Sequence, residues 1–144
     1  MSFEYNNVLI AVDGSKTAEK ALDKAIQVAK NNHADLILTN VIDTTTFSMI
    51  EPYDSSIYER SQKAAHEMLA DYETKIKAAG FPSVKKIVKM GSPKSMITKE
   101  IIPEENIDLI VVGATGLGAV ERILMGSVSE FIIRHATCDV LVTR

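Results

Sequence analysis

The stretch "DLIVVGATGLGAVERILMGSVSE", Asp108 to Glu130, decides how the chain is read. An apolar run, "DLIVVG", ends at Gly113; a dozen residues follow, and Gly126 and Ser127 then open a new apolar-periodic segment. Strand-to-helix connections in compact α/β units usually take about two to six residues. A connection this long implies a task. Gly113, Gly116, Gly118 and Gly126 concentrate four of the chain's seven glycines here. Glycine lets backbone N–H groups approach a bulky anion with no side chain in the way. A helix opening at Ser127 adds its unpaired first-turn N–H groups and the positive end of its dipole, which favour phosphate. Ser127 with Glu130 three residues later also reads as a capping box, a role that needs no ligand.

Working outward, the same alternation recurs along the chain. "NVLIAV" (Asn7 to Val12) is a continuous apolar run closed by "DGS", as expected of a strand buried on both faces. Ala18, Ala21, Leu22, Ala25, Ile26 and Ala29 follow at three- and four-residue spacing and predict an amphipathic helix. "DLILTNVI" (Asp35 to Ile42) is a second buried strand, and "DTTTFSMIEPYDSS" after it reads as a loop. Ile57, Ala64, Ala65, Met68, Leu69, Tyr72, Ile76 and Ala79 predict a long helix stopping at Gly80. "SVKKIVKM" (Ser83 to Met90) carries three lysines, which places it at a sheet edge. Ser92 and Pro93 predict a capped helix running toward Pro103, and "DVLVTR" closes the chain as a fifth strand. Alternating strands and helices imply an α/β fold with a parallel sheet and helices on both faces.

In such sheets ligands bind beyond the carboxyl ends of the strands, where strand order reverses. Asp13 follows the first strand and Gly113 ends the fourth, so adjacency of those strands would bring them to one crevice. Periodicity leaves that adjacency open. Asp13 before Gly14 also reads as an ordinary turn residue.

Composition narrows the function classes. A chain of 144 residues with net charge -3 fits one domain, residues 1–144, and has no bulk attraction for nucleic acid. No apolar run approaches the ~20 residues of a membrane span, and the amino terminus lacks a basic, apolar leader, so a cytoplasmic protein without membrane association is expected. Cys138 is alone, and His33, His66 and His135 are scattered without ligand spacing, so no metal site is expected. No Walker loop is present, and the turn after the first strand lacks the dinucleotide-binding glycines. Arg122 and Lys16 read as solvated surface charges. No histidine falls within the glycine loop, and no catalytic residue is assigned.

The spacing glycine, two residues, glycine, nine residues, glycine and serine, at Gly113, Gly116, Gly126 and Ser127, resembles the ATP-binding signature of the universal stress protein family. "VLIAVDGS", "NVID", "GSP" and "GSVSEFIIRHATCDVLVTR" extend the resemblance over the whole chain. Asp139 departs from it, standing where the family usually has proline. The resemblance implies a Rossmann-like, five-stranded sheet of order 3-2-1-4-5, with the first strand beside the fourth. It implies ATP, carried with Mg2+ or Mn2+. Asp13 would hold the ribose hydroxyls; Ala11, Val12 and Val41 would border adenine, partly through backbone groups; and Gly113, Gly116, Gly126, Ser127 and Val128 would line the ribose and phosphates. It also implies a homodimer paired antiparallel through the last strand, Val140 to Arg144, with protein partners unknown. The function implied is nucleotide-dependent regulation in stress response. A nucleotide-independent dimeric interaction protein and a slow ATPase or autokinase are the alternatives.

Overall fold

The computed structural model describes residues 4–44, 55–114 and 125–144. Five parallel strands form one sheet of order β3-β2-β1-β4-β5: β1 (Asn7–Ala11), β2 (Asp35–Asp43), β3 (Lys85–Gly91), β4 (Leu109–Gly113) and β5 (Asp139–Thr143). The order reverses between β1 and β4, which pair from Val8↔Leu109 to Ile10↔Val111. The expected architecture is therefore present, and its switch point lies between the strands that carry Asp13 and Gly113.

Alternating residues of each strand supply two cores. Val8, Ile10, Leu36, Leu38, Leu109 and Val111 face α1 (Lys16–Asn32) and α2 (Ser55–Ala78). Leu9, Ile37, Ile110 and Val112 face the other side, with Ile97, Ile101, Ile102 and Ile132. That second side is covered by α3 (Pro93–Ser95), a π-helical segment (Met96–Ile101), α4 (Ile102–Glu104) and α5 (Ser127–His135). The two-sided burial explains why β1 and β4 read as unbroken apolar runs.

Local chemistry sets the element ends. Ser15 caps α1 by accepting the Ala18 N–H at 3.2 Å, and α1 ends at His33 in the left-handed region (φ 54°). All six predicted apolar positions of α1 are buried. On α2, Ala65, Leu69, Tyr72 and Ile76 are buried, but Ala64 is exposed, because the predicted stripe was one residue too wide there. Asp43, read as loop, extends β2; residues 45–54 of the predicted loop lie outside the described residues.

The helix predicted from Ser92 to Pro103 is not a simple α-helix. Ser92 makes no side-chain cap. Pro103 has no N–H to return to the carbonyl four residues back, and the Ile102 N–H bonds instead to the Ile97 carbonyl, five residues back. The widened segment Met96–Ile101 results.

Asp139, the departure noted above, has a partner. Its carboxylate accepts the Tyr5 hydroxyl at 2.7 Å, tying the chain's amino-terminal segment to the start of β5. The neighbouring Asp108 carboxylate accepts the Asn6 and Asn7 N–H groups at 2.7 and 3.0 Å. Proline at 139 would lack this carboxylate. The hydrogen bond to Asp139 is the main reason the Tyr5 phenol lies above its ordinary range, with burial and the charges of Asp139 and Asp108 adding to it.

Cys138, half-buried against the second core, has its thiol pushed from 9.0 to about 11, mainly by burial and then by the Asp139 charge. Folding thus favours the protonated thiol. The stability this contributes is whole below the unfolded value and is lost as pH rises through the folded one. Native protein should react slowly with iodoacetamide up to about pH 9 and faster toward about pH 11, while urea-unfolded protein reacts near the ordinary thiol value; mass-spectrometric labelling rates check this.

Candidate nucleotide site at the switch point

Gly113, the last residue of β4, is where the candidate site is assembled. Its φ is not positive. A Cβ at this position would lie 3.0 Å from Thr17 Cβ, 3.0 Å from Thr17 Oγ1 and 3.1 Å from the Thr17 backbone carbon. The first turn of α1 therefore rests on this glycine, so the need for glycine here has a packing cause that sequence reasoning assigned to anion approach. From the other direction, the Ser129 hydroxyl, buried in the first turn of α5, donates to the Gly113 carbonyl. The amino ends of two helices thus converge on the carboxyl end of β4. Each carries a positive partial charge.

The long connection is closed at its base. The Ala114 N–H donates to the Thr143 carbonyl at 2.7 Å, and the Gly126 N–H returns to the Ala114 carbonyl at 2.7 Å. Gly126 caps α5 (φ -64°, ψ 151°), and the first intrahelical bond runs from the Glu130 N–H to the Gly126 carbonyl at 3.0 Å. The N–H groups of Ser127, Val128 and Ser129 precede that bond and have no intrahelical acceptor. Ser127 is exposed and is the first helical residue, without a capping bond. Glu130 pairs with Arg134 at 3.0 Å. The capping-box reading of Ser127 is therefore overturned: the cap is one residue earlier and has no side chain.

On the β1 side, Asp13 is exposed and its Oδ1 accepts the Ser15 N–H at 2.9 Å, closing a turn over Gly14 at φ 85°. The turn role and an outward-facing carboxylate coexist. Val12 is buried; its N–H donates to the Thr39 carbonyl at 3.0 Å and its carbonyl accepts Asn40 Nδ2 at 2.7 Å. Its N–H is thus committed to the sheet. Ala11, Val41 and Val128 are half-buried members of the second core, so strand and helix bring them to one face. Gly116 and Arg122 lie outside the described residues.

Among the described residues, no group of three His, Cys, Asp or Glu side chains could hold a metal ion, and no helix is long and apolar enough to cross a membrane. Sequence reasoning missed Thr17, Asn40 and Ser129. Only Ser129 left a trace, as the second serine of "GSVSE" in the first turn, where a hydroxyl can reach back to the preceding strand.

The sequence model of the universal stress protein family matches residues 4–144. The chain belongs to the universal stress protein family. A universal stress protein of Staphylococcus haemolyticus is 49% identical over 140 residues, covering 97% of this chain and 85% of that protein. One from Staphylococcus aureus strain USA300 is 51% identical over 140 residues, covering 97% and 84%. Among solved structures, the fold resembles UspA of Lactobacillus plantarum, with TM-score 0.88, 28% identity and coverage of 99% and 100% of the two chains. It also resembles a universal stress protein solved in complex with cAMP, with TM-score 0.75, 27% identity and coverage of 99% of each chain.

The contact at Gly113 makes a quantitative expectation. Gly113→Ala should destabilise the fold by about 1–3 kcal/mol through overpacking. The cost should shrink when Thr17→Gly is already present and should not vanish, because the Thr17 backbone carbon stays. Urea unfolding of both single variants and the double variant measures that coupling.

Proposed function

We propose that this universal stress protein is an ATP-binding regulatory module of the stress response, with the nucleotide held beyond the carboxyl ends of β1 and β4. The observation that carries the reading is the convergence of the α1 and α5 amino ends on Gly113. Two electropositive helix ends beside a side-chain-free backbone suit a polyanion. The donor set fits the group: first-turn N–H groups of Ser127 and Val128 for phosphates, with Gly126 presenting no side chain, and the outward Asp13 carboxylate for ribose hydroxyls. Ala11 and Val41 supply an apolar border for adenine, with Val12 contributing its backbone face; Gly113 and Gly116 complete the ribose and phosphate lining. The similar protein solved with cAMP supports a nucleotide in this fold.

Mg2+ or Mn2+ accompanying ATP would take its ligands largely from phosphates and water, which suits a site whose described residues include no cluster of acidic side chains. No described side chain is placed as a general base, so the reading is of binding rather than efficient hydrolysis. The protein acts in the cytoplasm as a homodimer, paired through Val140 to Arg144. There β5 is an edge with Leu141 toward one core and Val140 and Val142 toward the other.

A second reading has its own observation. The Gly113 contact with Thr17 and the Gly126 bond to Ala114 are satisfied without any ligand, as a nucleotide-independent dimeric interaction protein would require.

Calorimetry with ATP and magnesium separates the two. The expected result is saturable binding, weakened about tenfold or more by Asp13→Ala or Gly126→Val, since each removes or blocks a group aimed at the ligand. Absence of heat from folded wild-type protein favours the second reading. Light scattering should give twice the chain mass, and a monomer would overturn the edge-strand dimer.

A further inference from the structure

The groups assigned so far meet phosphate charge with backbone N–H groups and hydroxyls. Lys94, on an element packed against α5, has no role among them. It lies on α3, which leaves β3 at the carboxyl end of the sheet and packs against both β2, the strand of Val41, and α5. The Lys94 carbonyl accepts the buried Thr98 hydroxyl at 2.7 Å, which fixes its backbone.

The side chain is half-buried, and its ammonium lies 5.9 Å from the centroid of the Phe131 ring on α5. Phe131 is in turn held by His135, ring centroids 4.2 Å apart. Phe131 follows Ser127 by four residues, which is one helical turn or about 6 Å along the axis. Through Phe131 the ammonium is held against α5, the helix whose first turn offers those N–H groups. Lys75, Lys85, Lys86 and Arg134 each have a carboxylate partner. Among the described residues, Lys94 has none. A ring face attracts a cation without neutralising it, so Lys94 keeps its charge while its position is restrained.

We propose that Lys94 is a further ligand-binding residue of this site, a cation held on Phe131 that contacts the phosphate chain of the bound nucleotide and sets a preference for phosphorylated over unphosphorylated nucleosides. The inference rests on the nucleotide reading above. Phosphate-chain recognition through charge predicts a selective loss when the charge is removed.

The test is calorimetric titration of wild-type, Lys94→Gln and Lys94→Arg proteins with ATP and with adenosine. Lys94→Gln should weaken ATP about five- to tenfold and adenosine less than about twofold, as expected of one partly screened charge. Lys94→Arg should hold ATP within about threefold of wild type. ATP binding unchanged in Lys94→Gln, or ATP and adenosine weakened equally, would overturn the role of Lys94 and leave the nucleotide site standing. A wild-type protein that binds neither ligand would overturn the nucleotide reading itself.

Discussion

The approach of α1 to the backbone at Gly113 is the constraint on which the rest of the architecture turns. A parallel sheet can bury β1 and β4 only if helices cover both faces, and the helix covering the first face must begin directly beyond β1. Its second residue, Thr17, then meets the end of the neighbouring strand at a separation tighter than a Cβ ordinarily accepts. The same place receives α5 from the other side through Ser129. Close helix packing and an electropositive hollow are thus one geometric fact, because the ends that pack are the ends with unpaired N–H groups.

Most of the fold was legible in the residues themselves. The apolar runs of β1, β2 and β4, the six buried positions of α1 and the lysines of β3 all followed from periodicity and charge. Those signals report burial, and burial is what the sheet imposes. Strand order was not legible that way, because the pairing of β1 with β4 depends on contacts about a hundred residues apart; the family resemblance supplied it. Misreadings fell where two local rules competed. A serine before Glu130 looks like a cap, but Gly126 adopts the extended cap conformation and Ser127 joins the helix. Ser92 precedes proline as a cap should, yet the absent N–H of Pro103 reshapes the segment behind it.

The candidate site was legible in outline and not in its division of labour. Glycine spacing located the hollow and could not say what each glycine does. Gly113 makes way for Thr17, Gly14 takes a left-handed turn, and Gly126 caps a helix while its N–H closes the loop. Asn40 and Thr17 gave no advance signal because their roles depend on strands and helices distant in sequence. The sheet's two edges show the same dependence on context. At β3, Lys85 and Lys86 pair with Glu105 and Glu73, leaving a charged border, whereas β5 presents valines and leucine.

The bond from Gly126 to Ala114 has a consequence for how the family can diversify. The connection starts and finishes at a single hydrogen-bonded point, with Ala114 also fastened to Thr143, and these bonds use none of the residues between. Lengthening such an insert adds only a logarithmic entropic term. Bonds at the two ends thus divide the work, the backbone of Ala114 and Gly126 holding β4, β5 and α5 together while the side chains between are left to recognition.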